Sequence, residues 1–234
     1  MGLFNKRNKA GAGGDQDAEQ IRRRPVPQGE PGVDRDYDRT MDGPFDSGEV
    51  DDTEGLLDLG SLQIPMVSGM QLRFDMEKDT RRIVGLTCVQ GDDTVQVQAF
   101  AAPRSSGIWQ EIRSDLVKGI TDGGGAVTDQ SGSLGTELIC RLPSRAADGS
   151  MVYQPARFLG IDGPRWFVRA VVHGPAASDA AQLKPWLVFL RAMIVHRGDE
   201  PKPPREVLAL NAPATSAVTQ GEPAAGGVAQ GATE

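Results

Sequence analysis

Several runs in this chain alternate apolar and polar residues with period two, which is the spacing of a strand that buries one face. In "MQLRFDMEK", residues 70–78, Leu72, Phe74 and Met76 fall on one side and Gln71, Arg73 and Asp75 on the other. In "TVQVQAFAA", residues 94–102, Val95, Val97 and Ala99 point one way while Gln96 and Gln98 point the other. Between them lies "RIVGLTCVQ", joined to the second run by "GDD" at 91–93, a turn signature that makes the two a hairpin. Clean alternation of this kind predicts antiparallel pairing, because a parallel sheet is buried on both faces and reads as continuously apolar.

The period then changes. In "SGIWQEIRSDLVKGI", Ile108, Trp109, Ile112, Leu116, Val117 and Ile120 recur at three- and four-residue spacing, so a helix with one apolar stripe is expected. Ser105 or Ser106 is placed to cap its start, and "TDGGG" supplies the glycine that ends it. "GTELICRLP" and "MVYQPARFLGI" return to strand patterning, and Asp162–Gly163 is expected to turn the chain into "GPRWFVRAVVHGP" as a second hairpin. A second helix follows in "QLKPWLVFL". Ser178 is its expected cap, and Pro185 requires either a start near Leu183 or a kink. Residues 192–197 fit either an extension of that helix or a last strand. The order β-β-β-α-β-β-β-α implies an α+β domain, an antiparallel sheet of about six to seven strands with two helices packed on it.

Composition sets the limits of this domain. Residues 1–58 are rich in Gly, Pro and acid, basic at first (Lys6, Arg7, Lys9, Arg22, Arg23, Arg24) and acidic from Glu30 onward. Residues 211–234 are rich in Ala, Gly and Pro. Both stretches lack the apolar surface needed to offset their ordering entropy and are expected to be disordered. Residues 59–210 remain as a single domain. The formal net charge of −7 reports mainly the acidic linker and leaves room for a basic face on the domain. The basic N-terminus lacks an apolar run behind it, and position 6 is Lys where a myristoylation pattern needs Ser or Thr. A cytoplasmic protein without a transmembrane segment is expected.

The chain holds two histidines and two cysteines. His173, His196, Cys88 and Cys140 do not fall at metal-ligand spacing, and Gly-x-Ser-x-Gly is absent. "GITDGGGAVT" lacks the Lys-Ser/Thr of a phosphate loop and follows a helix instead of preceding one. These absences favour a non-enzymatic module with no cofactor and no metal. The run 163–175 has more directional content. Period two puts Arg165, Phe167, Arg169 and His173 on one face, opposite Trp166, Val168, Ala170 and Val172. An aromatic between two arginines resembles a platform for phosphates and stacked bases, and Arg157 and Arg141 on neighbouring strands are expected to extend it. The same residues also fit Phe167 packing under a helix while the arginines extend their stems outward.

"DLGSLQIP", "VQVQAFAAPRSSGIWQEIR", "QPARFLGIDGPRWFVRAVVHG" and "VHRGDEPKPPREVLAL" resemble the actinobacterial domain-of-unknown-function family numbered 3710, over Asp58 to Leu210. The resemblance implies an actinobacterial, cytosolic protein with no assigned activity, and it brings no catalytic residues with it. The strand and helix order is also similar to the Mog1/PsbP-like fold. The leading expectation is therefore an interaction module with a protein partner. Nucleic-acid or phosphoanion binding through the basic-aromatic strand face is the alternative. A small apolar ligand held between the sheet and the Trp109 helix is a third reading.

Overall fold

The structure, a computed structural model, describes residues 37–104 and 107–213. The elements are α1 (Arg39–Asp42), β1 (Phe45–Asp46), β2 (Leu56–Asp58), β3 (Leu62–Pro65), β4 (Gln71–Met76), β5 (Ile83–Gln90), β6 (Asp93–Ala101) and α2 (Trp109–Asp122). They continue with β7 (Ala126–Gly132), β8 (Gly135–Arg145), β9 (Met151–Gly163), β10 (Trp166–His173), a single 3₁₀ turn (Pro175–Ala177), α3 (Ala180–Arg191) and β11 (Ile194–Val195). Seven strands form one antiparallel sheet in the order β4-β5-β6-β10-β9-β8-β7. Four short strands form a second sheet, β1-β11-β3-β2, in which only the β1–β11 pair is parallel. The domain is thus α+β, as the patterning predicts.

Each face of the large sheet has its own apolar layer. Val95, Val97, Ala99, Trp166, Val168, Ala170 and Val172 lie on one face with Leu183, Trp186, Leu190 and Met193 of the α3 region and with Leu62 and Ile64 of the small sheet. On the other face Leu138, Cys140, Ala156 and Phe167 are covered by Ile108 and Trp109, with Ile112, Leu116, Val117 and Ile120 of α2 packed alongside. Gly160 makes the second layer possible. A Cβ at that position would meet the Trp109 ring at 2.1 Å, so only a residue without a side chain lets the indole lie flat on β9. Trp109 Nε1 then donates to the carbonyl of Thr136 at 2.6 Å, satisfying its one polar atom.

Several expectations are corrected. The hairpin between β9 and β10 turns at Pro164–Arg165, with Gly163 paired to Trp166, and not at Asp162–Gly163. Asp162 of β9 instead caps α2. Its carboxylate accepts from Ile108 N at 2.8 Å and from Trp109 N at 3.2 Å, which replaces the expected local serine cap; Ser105 and Ser106 lie outside the described residues. The cap of α3 is Asp179, accepting from Ala181 N and Gln182 N, not Ser178. Pro185 lies inside the helix, which starts at Ala180. Met76, expected to face inward, is 61% exposed where the β4–β5 register shifts at Asp75/Met76. Residues 194–195 are strand.

The folded region also begins earlier than expected. Residues 37–58, read as tail, carry α1, β1 and β2. Phe45 is fully buried, Asp42 pairs with buried Arg191 at 2.6 Å, and Asp46 accepts from Trp166 Nε1 at 2.7 Å. The expected disorder of residues 1–36 and 214–234 lies outside the described residues. At the other end, residues 205–211 run beside the large sheet and across to the small one. Arg205 N donates to Ala101 O at 2.8 Å, Leu208 N to Ala99 O at 2.8 Å, Leu210 N to Ile83 O at 2.9 Å and Asn211 N to Leu59 O at 2.8 Å.

Candidate functional site

The basic-aromatic strand does not form one surface. Phe167 is 0% exposed, stacked on Trp109 with ring centroids 5.8 Å apart and tilted against Phe100 at 6.0 Å. Arg169 shares its face and lies 5.5 Å from the Phe100 ring centre, donating from Nη2 to Gln98 Oε1. Its Nε is buried without a hydrogen-bond partner among the described residues, and burial lowers its pKa. His173 is half-buried on the same side, and desolvation holds its imidazole below the ordinary value. Arg165 precedes the strand, in the turn, with a left-handed φ of +63°.

Arg157 and Arg141 do not extend that face, because they lie on the opposite one. Arg157 is registered with Val172, which belongs to the α3 layer, and Arg141 follows Cys140, which belongs to the α2 layer. Arg157 is buried, with Nη1 donating to Glu137 Oε1 at 2.8 Å and Nε to Ala177 O at 3.2 Å. Desolvation raises the Glu137 pKa, partly offset by the Arg157 charge and hydrogen bond. Arg141 is exposed and stacks 5.6 Å from the Tyr153 ring centre. Burial also pushes the Cys88 thiol up to about 12 and the Cys140 thiol up to about 11, so both are protonated near neutral pH. Among the described residues no three His, Cys, Asp or Glu side chains gather at metal-binding distance.

Two of the hollows among the described residues bear on function. One, of about 500 Å³, runs between α2 and β8 and is lined by Ile112, Leu116, Gly119, Ile120, Gly123, Leu142 and Pro143. Its charged lining residues, Asp115 and Arg205, neutralise each other at 3.4 Å. Arg205 reaches Glu111 as well, at 2.8 Å. β7 begins at Ala126 opposite Arg141, so Leu142 and Pro143 of β8 continue past the edge strand. On that same projecting arm Met151, Val152 and Tyr153 are exposed. The helical periodicity identifies Ile112, Leu116 and Ile120 as apolar without showing that the sheet leaves part of the stripe open.

The second hollow, of about 620 Å³, is bounded by Ala102, Pro103, Arg104, Arg165, Arg197 and residues 199–204. Arg197 is only 9% exposed, and its Nε donates to Arg165 O at 3.2 Å while its Nη1 donates to Glu200 O at 3.1 Å. The Arg165 carbonyl also accepts from Ala102 N at 2.8 Å, so the turn holding Arg165 is tied to both neighbouring segments. Sequence reading overlooked Arg104 and Arg197. The available signal was the cation- and proline-dense run "HRGDEPKPPRE".

No helix among the described residues is long and apolar enough to cross a membrane. No curated protein matches the chain. A solved structure from Bacteroides thetaiotaomicron VPI-5482 aligns at 12% identity and a TM-score of 0.36, over 61% of this chain and 48% of that one. The chain therefore spans about half the length of that neighbour. The family model described as "Protein of unknown function (DUF3710)" matches residues 43–219, reaching back to the start of β1 and past the end of the C-terminal run. The chain belongs to this family, DUF3710.

Proposed function

We propose that the protein is a non-catalytic interaction module that seats a short apolar segment of a partner protein in the cleft between α2 and β8. The observation that carries this reading is the cleft's lining: aliphatic side chains with one internally neutralised ion pair and no unpaired charge. Its volume, about 500 Å³, lies in the range of a binding pocket and suits two or three side chains of a peptide. The one cation of the lining, Arg205, is already paired with Asp115 and Glu111, so a polyanion there loses hydration without gaining a free counter-charge. Exposed Val152 on the adjacent arm lies on the α2 face of β9 with Ala156 and extends the apolar surface beyond the cleft. Both thiols are buried and protonated, so neither is an activated nucleophile, and this supports reading the module as a binder.

A photo-crosslinking side chain placed at Gly119, where an added Cβ meets nothing within 4 Å, tests this directly. Crosslinks from a native lysate should map to one apolar segment of one protein, and Leu116→Asp should abolish them. Crosslinks scattered over unrelated proteins, or unchanged by Leu116→Asp, would overturn the reading.

A further inference from the structure

The hollow beside the β9–β10 turn concentrates positive charge that its own acids do not neutralise. Arg104, Arg165, Arg197 and Lys202 line it together with Asp199 and Glu200. Lys202 is engaged, at 3.4 Å from Glu206 and 3.8 Å from Glu200. Among the described residues none of the three guanidinium groups meets a carboxylate. Arg197 is the most telling of them. It is nine-tenths buried and oriented by two carbonyl groups, which fix the fork without cancelling its charge. A buried cation left uncompensated is costly, and a protein keeps one where a counter-anion completes the site.

The backbone points the same way. Arg165 occupies the left-handed region at φ +63°, which a branched or long side chain avoids and which glycine would adopt freely. Strain held in place by surrounding hydrogen bonds is characteristic of functional positions, and here the Arg165 carbonyl is clamped by Ala102 N and by Arg197 Nε. The three arginines reach the hollow from three separate segments: after β6, within the β9–β10 turn, and after β11. Donors arriving from different directions suit a tetrahedral oxyanion better than a planar one, and guanidinium forks match phosphate oxygens.

We propose that this hollow binds a single phosphoryl group through Arg104, Arg165 and Arg197. The site is distinct from the α2–β8 cleft and does not depend on that reading. The exposed acids Asp199 and Glu200 restrict the occupant, because they repel the further phosphates of a nucleic-acid backbone while leaving room for one. The ligand is thus one terminal phosphoryl group, that of a phosphomonoester or the end of a diphosphate, carried either by a small molecule or by a phosphorylated peptide.

The test is calorimetric titration of the full chain with pyrophosphate and, separately, with a phosphoserine peptide, in low salt. Binding of either probe is expected. It should weaken at least about tenfold in Arg165→Gly, a substitution that removes the guanidinium while relieving the backbone strain, and severalfold in the exposed Arg104→Gln. Arg73→Gln, on exposed β4, should leave it unchanged. Pyrophosphate alone binding assigns the small-molecule source, and preference for the peptide assigns the other. No heat with either probe up to about 10 mM, or affinity unaltered in Arg165→Gly, overturns the proposal. So does a single-stranded oligonucleotide that binds more tightly than both.

Discussion

Asp162 does the work of a helix cap although it belongs to a strand 53 residues away in sequence from Trp109. Its carboxylate accepts the first free amides of α2, and burial raises its pKa while those amides lower it. Asp162→Ala should therefore cost about 1–2 kcal/mol in urea denaturation, and Asp162→Asn, which keeps an acceptor, should cost less. His173 gives a pH-dependent counterpart. Desolvation depresses its pKa, so the unfolded chain binds the proton more readily than the folded one. The stability it contributes is fully present above the unfolded value near ~6.5 and is lost as pH falls through the lower folded value. Between about pH 7 and pH 5 the melting temperature of the wild type should drop further than that of His173→Gln, and equal slopes would contradict this.

Among the elements, β8 and β9 are joined by more than their ladder. Glu137 and Arg157 form a buried pair whose guanidinium also holds the 3₁₀ turn through Ala177 O, so the start of α3 is tied to the sheet. Breaking the pair by Arg157→Met should cost about 3–5 kcal/mol, because Glu137 stays behind uncompensated. The double variant Arg157→Met with Glu137→Leu should recover most of that loss, as measured by a double-mutant cycle in denaturant. β5, β6, β10 and α2 were legible because their apolar residues repeat at strand or helix spacing. β7 was not, because "AVTDQSG" is an edge strand with almost every side chain toward solvent, leaving no apolar partner for its alternation. The face carrying Arg165, Phe167 and Arg169 was assigned from period two. Period two says which residues share a side and not which of them a helix covers: Phe167 packing under a helix was one of the two arrangements it allowed, and only the reversal of Arg157 stayed hidden.

At the scale of the whole molecule, the N-terminal boundary is the informative error. Residues 37–58 look like tail because their text is acidic and glycine-rich, yet their few apolar residues and one inward-facing acid are what the fold uses. Phe45 is fully buried, and Asp42 meets Arg191 beneath the surface. A buried Asp has no apolar signature and can be recognised only from its partner 149 residues away. A chain spanning 37–213 should unfold cooperatively in circular dichroism. One spanning 59–213, stripped of β1 and of the carboxylate facing Arg191, should lose that cooperativity, since a loss of about 3–5 kcal/mol is a large part of an ordinary domain's stability. The C-terminal run 205–211 bears on how the protein comes to exist at all. It bonds to Ala99, Ala101, Ile83 and Leu59, and β6 meets its other neighbour, β10, only after the whole of α2, β7, β8 and β9 has been made. During synthesis the early strands must therefore wait, half-paired, until the last part of the domain has emerged. Assembly is governed by the slow closing of distant contacts and not by local propensity.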